Sequence, residues 1–135
     1  LVNDACYFEK KTLISGAILQ FEGQILVFKP HSNGACYRCL YPEIPAEGEM
    51  PSCQEAGILG AVAGTVGTIQ SIETLKEILG IGETLTDRLL NFNALTMKFE
   101  SVNIKKDPGC ELCSDNASIN SVAVNGQTEC EFEGP

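Results

Sequence analysis

Two C-x-x-C pairs, Cys36-Tyr37-Arg38-Cys39 and Cys110-Glu111-Leu112-Cys113, limit what this chain can fold into more than any other feature. Two intervening residues let both thiolates of a tight knuckle face one metal ion. Two knuckles together supply four soft ligands, the closed tetrahedral set of a structural zinc site, which stabilises a fold and leaves no open position for chemistry. Seventy residues, 40–109, separate the pairs, so the fold must bring distant segments together. A tie across such a loop removes about 4 kcal/mol of unfolded-chain entropy. The competing reading is a redox pair at Cys36 and Cys39, but a thioredoxin-like site opens a helix in a βαβ setting, whereas a proline-rich loop follows here.

At 135 residues the chain has the length of one domain with a real hydrophobic core. There is no initiator Met, and Leu1, Ala5 and Phe8 share one helical stripe with nothing ahead to cap it. The sequence therefore reads as a piece of a longer chain. Its net charge of −9, with nine scattered basic residues, argues against nucleic acid and anionic membranes, both of which are bound by clustered Lys and Arg. Seven cysteines are an odd number, and four fall into metal-type pairs, which favours a reducing cytoplasm over a disulfide scaffold.

After the short opening helix, residues 12–29 read as a β-hairpin with Glu22-Gly23 in its middle and Ile25 to Phe28 as a well-buried strand. His31 follows in KPHSNG and reads as a solvated loop residue rather than a ligand. The stretch from Tyr41 to Pro51 holds three prolines and three glutamates, the composition of an exposed, mobile connection. Ser52-Cys53-Gln54-Glu55 has the form of a capping box, which predicts a long helix beginning there and ending at Gly80 and Gly82. Ile58, Val62, Val66, Ile69, Ile72 and Leu79 form its expected apolar stripe. Gly57, Gly60, Gly64 and Gly67 share another face, and the expectation is close approach of a second backbone. Residues 56–72 carry no charge but are too few for a membrane span.

Arg88 to Lys105 predicts two more strands joined near Asn93-Ala94, with a bulge near Glu100 and Ser101 where the apolar phase changes. Residues 1–113 are thus expected to form the domain, and 114–135 a polar, disordered tail carrying four acidic and no basic residues. Cys53, at the predicted first turn of the helix, meets free backbone N–H groups that lower a thiol pKa, making it the candidate catalytic nucleophile. Against this, Glu55 pulls the other way. Neither phosphate-binding glycine pattern occurs, and Ser15 lies in ISGA rather than a nucleophile elbow.

Several motifs occur together in a recognisable order: Asn3-Asp4-Ala5-Cys6, Ser15-Gly16-Ala17, Phe21-Glu22-Gly23-Gln24, Cys36-Tyr37-Arg38-Cys39, Cys53-Gln54-Glu55-Ala56-Gly57, the glycine-faced helix, and Pro108-Gly109-Cys110 to Cys113. In this order the chain resembles the ThiF, MoeB and HesA family, adenylyltransferases akin to ubiquitin-activating enzymes. The resemblance covers residues 1 to about 113 and corresponds to the C-terminal half of the family's domain. It implies an α/β fold, the C-terminal half of a Rossmann-like activating-enzyme domain, with mostly antiparallel strands, one long glycine-faced helix and a zinc site of four cysteines. It also implies that the intact enzyme uses ATP and magnesium to adenylate the C-terminal glycine of a ubiquitin-like sulfur-carrier protein serving molybdopterin or thiamine synthesis. Cys36, Cys39, Cys110 and Cys113 would bind zinc, Cys53 would match the cysteine that some members use covalently, and the protein would be a homodimer. The family's ATP-holding residues belong to the other half. A zinc-stabilised protein-binding module without catalysis is the alternative.

Overall fold

The computed structural model describes residues 1–43 and 57–122. Helix α1 (Val2–Phe8) leads into strands β1 (Leu13–Leu19) and β2 (Glu22–Phe28), a 3-10 turn at Pro30–Ser32, and the one-turn helix α2 (Tyr37–Leu40). The long helix α3 (Gly60–Leu79) follows, and then β3 (Arg88–Asn93) and β4 (Lys98–Asn103). The strands form one antiparallel sheet in the order β1-β2-β3-β4. This is the α/β architecture expected, antiparallel strands with one long helix.

The first hairpin turns two residues earlier than its sequence suggests. Leu19 pairs with Glu22, so Gln20 and Phe21 make the turn, and Gln20 adopts a left-handed φ of 51°. Gly23 is thereby freed for another task. With Gly16 on the neighbouring strand it lies under α3, where an added Cβ at Gly23 would stand 2.4 Å from Val66 Cγ2 and one at Gly16 2.8 Å from Val66 Cγ1. Two strand glycines thus let the helix sit close on the sheet, and Val62 and Val66 fill the hollow against Ile25 and Phe92.

Helix α3 begins later than the capping-box reading places it. Gly57 takes a φ of 72°, Ile58 bridges Gln20, and the Leu59 N–H donates to the Gln20 carbonyl at 3.0 Å. Residues 57–59 are committed to the sheet edge, and the helix starts at Gly60; the Ser52 to Glu55 pattern, with Cys53 in it, lies outside the described residues. Gly80 closes the far end in the left-handed conformation, as its position foretold. The apolar stripe is half realised: Val62 and Val66 are buried, whereas Ile58, Ile72 and Leu79 are exposed. On the outer face Thr65, Thr68, Ser71 and Thr74 each bond the carbonyl four residues back, which satisfies their hydroxyls within the helix. No described atom comes within 4 Å of the space beside Gly60, Gly64 or Gly67, so the close approach expected there occurs instead at Gly16 and Gly23. Among the described residues no helix is long and apolar enough to cross a membrane.

The loop after α3 is held by buried Glu73, which accepts the Leu85 N–H at 2.7 Å and pairs with Lys76. The Lys76 ammonium also donates to the Glu83 carbonyl. Strands β3 and β4 run in unbroken register, Asn91 opposite Glu100 and Leu90 opposite Ser101, so the expected bulge is absent. The phase change reflects an edge strand with little to bury: all six β4 residues are exposed, and Phe99 finds its partner by stacking on Phe92 at 4.6 Å. Ile25 to Phe28 is continuously apolar because this part of β2 is covered on both faces: Ile25 packs under α3, and Phe28 meets the Tyr37 ring edge-on at 5.9 Å.

Candidate metal centre

The second hydrophobic cluster gathers Cys36, Cys110, Leu112 and Cys113, with Tyr7, Phe8, Cys39 and Ile119 packed around them. Strand β2 delivers the first pair and β4 the second. Cys36 precedes α2, where the Cys39 N–H donates to the Cys36 carbonyl at 3.0 Å and the Cys36 N–H points at Cys39 Sγ at 3.5 Å. This is the turn that aims both sulfurs the same way. Cys110 is set in a similar turn, its N–H bonded to the Asp107 carbonyl at 3.1 Å and its own carbonyl accepting from Ser114. Asp107 in turn fixes Gly109. The chain keeps folding past Cys113: the N–H groups of Ser118 and Ile119 both bond the Glu111 carbonyl.

All four Sγ atoms lie within 4.8 Å of one another. Individual separations are 3.9 Å for Cys36 to Cys39, 3.6 Å for Cys36 to Cys110 and 3.3 Å for Cys39 to Cys113. A tetrahedron with metal–sulfur bonds of about 2.3 Å has edges of about 3.8 Å, so these sulfurs stand where the corners of one ion's coordination shell belong. The group can hold a metal ion. All four are free thiols, and each member of the first pair is as near to a sulfur of the second pair as to its own neighbour. That arrangement fits a quartet better than a Cys36–Cys39 redox couple.

The electrostatics point the same way. Burial, with the nearby Cys39 next, pushes the Cys36 thiol up to about 11. Burial also raises Cys113 far above its ordinary range, helped by its sulfur contacts. At Cys110 burial again acts upward, but bonds from the backbone N–H groups of Cys113 and Leu112 and from neighbouring thiols outweigh it and leave the pKa lowered. Four thiolates cannot crowd into one buried space without a cation to neutralise them. A dication supplies that charge.

His31 is exposed on the 3-10 turn and outside the quartet. Cys53 lies outside the described residues, as do Cys130 and most of the proline-rich connection that precedes Cys53. Asn3 and Asp4, noted in the sequence only as part of a motif, support the first knuckle: they are the buried members of α1 and bond Tyr37 and Arg38. The sign in the sequence was a polar pair on a short helix with few apolar residues to bury; of its apolar residues Phe8 packs on the cysteine cluster, whereas Leu1 and Val2 are exposed.

Comparison with known proteins agrees with this geometry. The family model described as "ThiF family" matches residues 1–112. The SAMP-activating enzyme E1 of Haloferax volcanii is 46% identical over 115 residues, covering 85% of this chain and 42% of that protein. The sulfur carrier protein adenylyltransferase of Thermus thermophilus is 44% identical over 119 residues, covering 85% of this chain and 44% of that one. The adenylyltransferase and sulfurtransferase MOCS3 of Drosophila virilis is 41% identical over 115 residues, covering 84% and 25%. The chain therefore spans less than half the length of these curated relatives. Among solved structures, E. coli MccB with MccA-N7isoASN superposes with a TM-score of 0.69 at 16% identity, over 84% of this chain and 36% of that one, a likeness of fold. With its motifs in family order, its four sulfurs converged and residues 1–112 matched, this chain belongs to the ThiF family.

Proposed function

We propose that this chain forms part of an ATP-dependent adenylyltransferase that activates the C-terminal glycine of a ubiquitin-like sulfur-carrier protein, in molybdopterin or thiamine synthesis. The observation that carries this reading is 44% identity to a sulfur carrier protein adenylyltransferase across most of the chain. The intact enzyme takes ATP and magnesium through residues outside these 135, because neither phosphate-binding glycine pattern is present here. Zinc is the metal that suits four thiolates at these spacings; Cys36, Cys39, Cys110 and Cys113 hold it, and its work is structural.

In this reading Cys53 is the nucleophile. Its thiolate attacks the carrier's acyl adenylate, a carbon–sulfur bond forms as the carbon–oxygen bond to AMP breaks, and AMP leaves with the electron pair. The enzyme works in the cytoplasm as a homodimer, and its folded domain runs from residue 1 past Cys113 to Ile119, whose N–H bonds the Glu111 carbonyl.

Pyrophosphate exchange into ATP tests the activity. The intact gene product, given a carrier ending in glycine, should show exchange, and the 135-residue chain alone should not. Exchange by neither, together with carrier binding that is indifferent to nucleotide, would replace the reading with a zinc-stabilised binding module. Tight stoichiometric binding of ATP and magnesium by the isolated chain would overturn the assignment of the nucleotide site to residues elsewhere.

A further inference from the structure

Asn3 and Asp4 are consecutive polar residues, yet they are the buried residues of α1. Polar side chains are buried at a cost unless their partners come with them, and here both sets of partners are in the first knuckle. Asn3 Oδ1 accepts the Tyr37 backbone N–H at 2.9 Å. Asp4 receives the Arg38 guanidinium as a fork, Nε to Oδ1 at 2.9 Å and Nη2 to Oδ2 at 2.7 Å. Asn3 Nδ2 donates across to Asp4 Oδ1 at 3.1 Å and joins the two halves of the grip. Tyr37 and Arg38 are the two residues between Cys36 and Cys39, so the three bonds that leave α1 in this network all end on the segment that shapes the knuckle.

We propose that Asn3 and Asp4 form a clamp that locks the first knuckle in its ligating shape, with Asp4 and Arg38 as positioning residues for the metal centre. The proposal rests on the zinc reading above. A zinc ion in four thiolates would leave two excess negative charges, and the Arg38 guanidinium, carried between two of the ligands and fixed on Asp4, would oppose them. Untethered, the Arg38 side chain would be free to extend into water, where its charge is screened. Asp4 prevents this, because a carboxylate and a guanidinium match in two parallel bonds and so fix direction as well as distance. Lysine cannot reproduce that fork. The opening helix, which among the described residues makes no hydrogen bond to any of the four ligand sulfurs, thereby governs how readily the site opens.

The test is zinc release from the full chain to a chromogenic chelator, with the fold followed by circular dichroism. Wild type should carry one zinc; a wild type without zinc overturns both the metal reading and the clamp. Partners that orient ligands typically change metal affinity by about 10- to 100-fold. Asp4→Ala and Arg38→Met should therefore release zinc at least about tenfold faster than wild type. The double variant should be no faster than the worse single, and Arg38→Lys should behave like Arg38→Met. Asn3→Ala should have a smaller effect in the same direction. Val66→Ala, which weakens the other core, should release zinc at the wild-type rate. If Asp4→Ala does not fold, the milder Asp4→Asn carries the same comparison. Wild-type release from the Asp4 and Arg38 variants, or equally fast release from Val66→Ala, overturns the clamp and leaves the zinc reading standing.

Discussion

The two cores of this molecule are held together by different means. The core between helix and sheet is built from shape: Gly16 and Gly23 lower the sheet surface, and Val62 and Val66 descend into it against Ile25 and Phe92. Among the described residues, the core around the cysteines has Leu112 as its one fully buried aliphatic side chain, with aromatic rings at its margin. So few apolar groups cannot hold two segments 74 positions apart by burial alone, at roughly 1.5–3 kcal/mol per large side chain. What packing does in the first core, four sulfurs must do in the second. The difference explains why one half needs glycine at particular strand positions and the other needs cysteine.

The sharpest way to break the comparison is to remove a ligand. Cys110→Ser should abolish stoichiometric zinc and lower stability by on the order of 4 kcal/mol, the entropy of the loop it helps to close. Thermal unfolding with and without chelator measures this, and chelator should have no further effect on the variant. The mirror-image change is Gly23→Val, which drives carbon atoms into Val66. Overpacking of this kind costs roughly 1–3 kcal/mol, and the variant should melt earlier while keeping its full zinc content.

A subtler contrast uses glycine on the other face of α3. Gly64 has open space beside it, so Gly64→Ala in the isolated chain should raise stability by about 0.5–1 kcal/mol through helix propensity. Opposite signs at Gly23 and Gly64 in urea melts would confirm that the strand glycine serves the packing of α3 on the sheet and the helix glycine does not. The smallest effect concerns acid. A hydrogen bond from Lys29, then one from Thr12, holds the Glu77 carboxyl below its usual 4.5 despite partial burial. Its folded pKa is depressed, so its contribution is present above that usual value and lost as pH falls through the folded one. Glu77→Gln should therefore destabilise the chain by less than about 1 kcal/mol at pH 7, and by nothing once both forms are neutral in strong acid.

The metal quartet and the strands were legible because each depends on local spacing: two residues between ligands, two residues per strand repeat. The end of α3 was legible for the same reason, since Gly80 acts on its own turn. The start of α3 at Gly60 was not, because Gly57 to Leu59 are claimed by Gln20, a contact between distant positions that local sequence does not reveal. The glycine pattern misled in a related way. A run of helix glycines is conspicuous, but the two that let α3 approach the sheet are single residues on adjacent strands, and only the register places them under one valine. Asn3 and Asp4 were quoted as a motif, and their work became visible only when the knuckle was seen beside them.

One measurement tests the central claim, that the second core is held by a metal: zinc per chain by elemental analysis, with reactive thiols counted before and after chelation. The account predicts one zinc per chain, with Cys36, Cys39, Cys110 and Cys113 becoming reactive only once the metal is removed. A folded chain without metal, with those four thiols reactive from the outset or with Cys36 and Cys39 oxidised to a disulfide, would contradict it.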